Sequence, residues 1–173
     1  MHNTMFHLTI ICGGPSLERG ISLNSARSLM DHLNGPEIAI HPIYVDLDKN
    51  FYSLSPSQLY SNTPSDFDFK LTQTAQKLSQ TELLAALKST DLVFPTIHGA
   101  FGEDGVLQSL LEEMDIPFVG PSSETCKNMF NKHLAAQILK NNNFHTIPSL
   151  LISNNDPAPP LTKIQEFWTT HNL

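Results

Sequence analysis

The chain has 173 residues, 40% hydrophobic and 16% charged, with a formal net charge of −7. That length and composition suit a globular chain with a full core, and the negative balance argues against a surface built for nucleic acid or anionic membrane. Two cysteines without a CxxC spacing and eight histidines without an HxxxH pair leave no zinc or redox motif.

In chain order, Leu8 to Cys12 (LTIIC) is an apolar, β-branched run bounded by Gly13-Gly14-Pro15. It reads as a buried parallel strand ending in a tight loop. No basic segment precedes it, and it is too short for a signal core or membrane span, so a reducing cytoplasm is expected. Ile21, Ala26, Leu29, Met30 and Leu33 then fall near helical spacing, stopped by Asn34-Gly35-Pro36. The two glycines let backbone approach a ligand, and the helix start favours an anion. A Gly-Gly corner is also what a strand-to-helix turn needs in any case. Glu18, at the helix start, is either a solvated carboxylate complementing the helix dipole or a carboxylate aimed at a cationic group such as a substrate ammonium.

Glu37 to Asp46 alternates well enough for a second strand. Leu47 to Thr74, rich in Ser, Asp, Asn and Pro, reads as a long excursion with a small β-hairpin near Phe51. Ser79-Gln80-Thr81-Glu82 matches a capping box ahead of Leu83, Leu84 and Leu87.

Asp91 to Lys132 is the stretch around which the chain is organised. A buried strand, Asp91 to Ile97, runs into the glycine-punctuated loop HGAFGEDG. A helix over Gly105 to Met114 follows, with Asp104 as N-cap and Glu112 and Glu113 facing away from its apolar side. Ile116 to Val119 makes a last short strand. The loop lies at the carboxyl end of its strand, where open α/β sheets place ligands. His98 is either a turn histidine or a ligand. The Glu103-Asp104 pair suits a cap and dipole partner better than an acid–base couple.

From Ser122 a helix is expected to reach about Lys140. Thr146 to Ile152 reads as a strand, and Thr162-Lys163-Ile164-Gln165 as a capping box opening a helix with Ile164, Phe167 and Trp168 on one face. That strand has no later partner and that apolar face no later cover. The expectation is a truncated chain, with one domain over residues 1–120 and the first part of another over 121–173.

Three segments together resemble the D-alanine–D-alanine ligase family. GGPSLERGISLNSA resembles GGxSxE(H/R)EVSxxSA; HGAFGEDGVLQSLLEEMDIPFVG resembles HGxxGEDGxxQGxLExxxIPYxG; NMFNKHLAAQILKNNNFHTIP is similar to xxMDKxxxKxxxxxxGIPxxP. The resemblance implies an α/β fold, with a Rossmann-like (pre-ATP-grasp) parallel sheet flanked by helices and the incomplete start of an ATP-grasp domain. It implies a cytoplasmic, dimeric ligase of peptidoglycan synthesis. ATP would phosphorylate one D-alanine carboxylate, and the amine of a second D-alanine would attack the acyl phosphate. By position, Glu18 orients the ammonium of the first D-alanine and Ser22 supports that loop. His98 lies beside the substrate carboxylate, Gly13 and Gly14 give close backbone approach, and Lys132 contacts ATP. Mg²⁺ ligands are expected beyond Leu173, so the chain alone is expected not to turn over.

The sequence departs from the family pattern at Gly20 (usually Glu), Asn131 (usually Asp) and NNNF at 141–144 (usually a Gly-containing turn). A D-alanine–D-serine or D-alanine–D-lactate ligase, another ATP-grasp ligase, or a non-catalytic α/β module binding a small amino acid are the alternatives.

Overall fold

The computed structural model describes residues 5–33, 35–61 and 63–171. Asn34, part of the expected helix stop, lies outside them. The elements run β1 (Phe6–Gly13), α1 (Arg19–Leu33), β2 (Ile38–Val45), β3 (Phe51–Ser53), α2 (Pro56–Ser61), α3 (Pro64–Thr74), β4 (Gln76–Lys77), α4 (Gln80–Lys88), β5 (Leu92–Pro95), α5 (Val106–Glu113), α6 (Ser123–Phe130), α7 (Lys132–Asn141) and α8 (Pro160–His171). They form two compact units, Met1–Lys127 and Asn128–Leu173.

In the first unit, five strands lie in the order β4-β3-β2-β1-β5. β2 and β5 flank β1 in parallel, whereas β3 and β4 add an antiparallel edge. The expected parallel sheet is present around β1, and its antiparallel edge starts at the hairpin expected near Phe51. The β2–β3 connection is a tight hairpin rather than a crossover helix, closed by Asp46, whose Oδ1 accepts from the amides of Asp48 and Asn50.

Alternation along β1 divides the core. Leu8, Ile10 and Cys12 join Leu23, Ala26, Met30, Leu59 and Phe67 on the face covered by α1 to α3. Ile11 joins Leu83, Leu87, Leu107 and Leu111 on the face covered by α4 and α5. A strand buried on both faces has no polar side to show, which is why LTIIC reads as continuous apolar sequence. Burial raises the Cys12 thiol to about 12, with Arg27 acting weakly in the opposite sense, so Cys12 is a core residue and not a nucleophile.

The excursion after Leu47 contains two helices that its polar composition conceals. Pro56 and Pro64 begin them, where a missing N–H costs nothing. Thr63 and Asp66 cap α3 reciprocally. The Ser79–Glu82 box caps α4 as expected. Ile21, expected on the apolar face of α1, is 55% exposed, and Ser22 and Leu23 are buried in its place. Ile116 to Val119 makes only one bridge, Phe118 with Val93.

The helix expected from Ser122 to Lys140 is two helices. Ser122 Oγ accepts from the Thr125 amide at 3.3 Å, but Asn131 breaks the run: its φ of −83° and ψ of 102° are extended, and its Oδ1 accepts from the amides of His133 and Leu134. Asn and Asp cap comparably, so this Asn keeps the local geometry while removing a charge. Residues 146–152 form no strand, because no strand among the described residues lies alongside to take their hydrogen bonds. α8 opens at Pro160, with Pro159 O accepting from Thr162 N, so Thr162 sits inside the helix and is not its cap.

Candidate functional site

The carboxyl ends of β1 and β5 bring two loops together. β1 ends on Gly13, whose φ of +90° is open to glycine but costly for other residues. A Cβ there would lie 2.5 Å from Tyr44 Cε2 and from Val45 O. The Gly13 amide donates to Ser22 Oγ at 2.9 Å, and the Gly14 amide to Val45 O at 2.8 Å. Ser22 is 0% exposed, so its hydroxyl supports the loop rather than meeting a ligand. Thr96, 6% exposed and just past the end of β5, closes the arrangement: its Oγ1 donates to Ile11 O at 3.2 Å and lies 3.4 Å from Ser22 O.

Glu18 is exposed just ahead of α1, its amide donating to Ser16 Oγ at 2.9 Å. Its side chain leans over the other loop. A Cβ on Gly99 would lie 3.0 Å from Glu18 Oε2 and 2.8 Å from Ser16 Oγ. A side chain at 99 would push the carboxylate off this loop.

His98 is held from two sides. Nε2 lies 3.3 Å from Ser25 Oγ, and Nδ1 lies 3.5 Å from Glu103 Oε1. A carboxylate beside Nδ1 favours the tautomer with its proton there, leaving Nε2 to accept from the Ser25 hydroxyl. The expected shared role of Glu103 and Asp104 therefore divides. Asp104 does the turn work: Oδ2 accepts from Phe101 N at 2.9 Å and Oδ1 from Val106 N at 3.1 Å. Glu103 faces the histidine. Gln108, 5% exposed, donates from Nε2 to Gly102 O at 2.7 Å and fixes the loop from below.

Gly13, Gly14, Glu18, Ser22 and His98 thus converge in the first unit, and Lys132 lies in the second, exposed at the first turn of α7. Ser25 escaped the sequence reading. The available signal was its place three residues after Ser22, one turn on along the same helix face. Glu112, expected to face away, accepts from the amide of Ser123 at 2.9 Å and from its hydroxyl, tying α5 to the start of α6.

A cleft of about 750 Å³ opens behind the loop, lined by Phe51, Phe101, Val106, Ser123 and Lys127 among others. None of the five converging residues lines it; they form a wall of main chain, one carboxylate and one imidazole. Such a wall can hold an ammonium at Glu18 and a carboxylate near exposed loop donors. Among the described residues no three His, Cys, Asp or Glu side chains converge on a metal position, and no helix is long and apolar enough to cross a membrane.

A model of the D-ala D-ala ligase N-terminus matches residues 7–121. A D-alanine–D-alanine ligase of Wolinella succinogenes is 36% identical over 155 residues, covering 87% of this chain and 44% of that protein. One of Macrococcus caseolyticus is 32% identical over 145 residues, covering 82% and 40%. The solved D-alanine–D-alanine ligase of Coxiella burnetii matches with a TM-score of 0.82 at 26% identity, over 95% of this chain and 50% of that one. That of Helicobacter pylori gives 0.72 at 27%, over 88% and 50%. The chain spans about half the length of the curated relatives it matches.

Proposed function

The chain belongs to the D-ala D-ala ligase N-terminus family, and from that premise we propose that it supplies the first-substrate side of an ATP-dependent D-alanine–D-alanine ligase. In this reading residues 1–120 carry the D-alanine half-site and 121–173 begin the nucleotide half.

One observation carries the proposal: the loops after β1 and β5 meet so closely that the Glu18 carboxylate lies against Gly99, next to His98. The first D-alanine binds with its ammonium on Glu18, a charge-assisted contact. Its carboxylate lies beside His98, which Ser25 and Glu103 hold in place. One carboxylate oxygen attacks the γ-phosphorus of ATP, the bond to ADP breaks, and an acyl phosphate forms. The amine of the second D-alanine then attacks the acyl carbon, phosphate leaves with the bonding pair, and the amine loses a proton. Little covalent chemistry falls to the protein, whose work is positioning and charge stabilisation. Gly13 and Gly14 keep the main chain close to the substrate. Lys132, at the first turn of α7, contacts ATP phosphate. Mg²⁺ serves this class of phosphoryl transfer, but the described residues do not build a site for it, and no step here passes through one.

The test is an amide NMR titration of the chain with D-alanine. The expected result is shifts confined to residues 13–25 and 96–105, absent with L-alanine and lost in Glu18→Gln. Equal responses to both enantiomers, or shifts scattered over the surface, overturn the assignment.

A further inference from the structure

Two histidines 34 residues apart meet at the far end of the sheet. β1 and β2 pair with Ala39 opposite His7 and His41 opposite Thr9. Odd-numbered residues of both strands therefore share the face that carries Ile11 and Ile43, and His7 and His41 are diagonal neighbours on it. Their rings lie 10° from parallel with centroids 5.5 Å apart, and His7 Nδ1 is 3.2 Å from His41 Nε2. His7 is half-buried and His41 exposed, so solvent reaches the pair.

We infer that His7 and His41 form a two-imidazole site for a divalent transition cation of the zinc, nickel or copper class. Bonds of about 2.0–2.1 Å at a tetrahedral angle put two nitrogens roughly 3.3 Å apart, close to the separation already present. One of the two facing nitrogens carries a hydrogen and donates it to the lone pair of the other. Rotation of the rings, with the donor's hydrogen passing through solvent to the other nitrogen of the same ring, leaves a lone pair on each facing nitrogen and turns that hydrogen bond into a chelate. No third His, Cys, Asp or Glu among the described residues joins the pair, so water completes the coordination shell. Imidazole suits these ions and not Mg²⁺, which prefers oxygen ligands. From His7 to Gly13 the strand spans roughly 20 Å at about 3.3 Å per residue. The ion therefore sits far from Glu18 and His98, and it bridges β1 and β2 rather than serving the ligase reaction.

The test is calorimetric titration of metal-free protein with Zn²⁺ and Ni²⁺ at neutral pH, with imidazole NMR signals recorded in parallel. One equivalent should bind, and the His7 and His41 signals should move together. His7→Gln and His41→Gln should each weaken that binding by about a hundredfold, the order of gain that a tethered second ligand supplies. His98→Gln and millimolar Mg²⁺ should leave it unchanged. Circular dichroism confirms that each variant is folded, and an unfolded one is replaced by the Asn variant at the same position. Equal binding by wild type and both variants, or loss in only one of the two, overturns the site.

Discussion

Met1–Lys127 and Asn128–Leu173 use the same local devices and differ in what those devices accomplish. Both have capped helices: Ser79 and Thr63 in the first, Asn131 in the second. The first unit stacks its helices on two faces of a sheet and buries a core on each. In the second, no described residue is buried, and Ile147 and Trp168 are 88% and 61% exposed. Capping and helical spacing are enough to specify helices. A core needs a second layer to close on, and α7 and α8 have no sheet of their own.

Hydrogen exchange should separate the units most widely. The amides of Ile10, Ile11 and Val93 should open only with global unfolding, at about 5–15 kcal/mol. Those of residues 145–152 should exchange near the unprotected rate. Equal protection would erase the contrast. A smaller difference is expected from truncations. Leu107→Ala, at a fully buried position, should cost about 2–5 kcal/mol in urea unfolding, whereas Ile147→Ala should stay within about 0.5 kcal/mol. A large loss at Ile147 would show that the second unit hides a core.

The smallest effect concerns Glu112. The Ser123 hydroxyl, then the Ser123 amide, hold its carboxyl below its ordinary value. A depressed folded value stabilises above the unfolded one, about 4.3, and the benefit is lost as pH falls through the folded value. Glu112→Gln should flatten the acid limb of stability against pH below about 4 and leave the neutral region nearly level. An unchanged acid limb would remove this tie between α5 and the first turn of α6.

Much of the first unit was legible because its signals are local. LTIIC announced a strand buried on both faces, the Ser79–Glu82 box announced α4, and the glycine loops marked the carboxyl ends of the central strands. What escaped was tertiary or masked by composition. α2 and α3 hid in Ser- and Asp-rich sequence, although Pro64 after Thr63 was a start signal. The run 146–152 has strand composition, but a strand exists only beside another. Asn131, read only as a lost charge, is also a cap that divides one expected helix into two. At the site, Glu18 and His98 stood in recognisable motifs. Ser25, Thr96 and the pairing of His7 with His41 depend on strand register and loop closure, which no local spacing encodes.

β1 lies between β2 and β5 in the sheet but precedes both in sequence. One neighbour, β2, is close in sequence. The other arrives much later: the His7 amide meets its Asp91 partner across 84 residues. During synthesis at about 5–20 residues per second, that edge of β1 waits roughly 4–17 s for its partner. Through that interval LTIIC is an apolar strand with one open edge, the state most prone to pair with another nascent chain. Yield on fast overexpression should therefore depend on how quickly residues 91–95 follow, with slower translation or lower temperature favouring the soluble product.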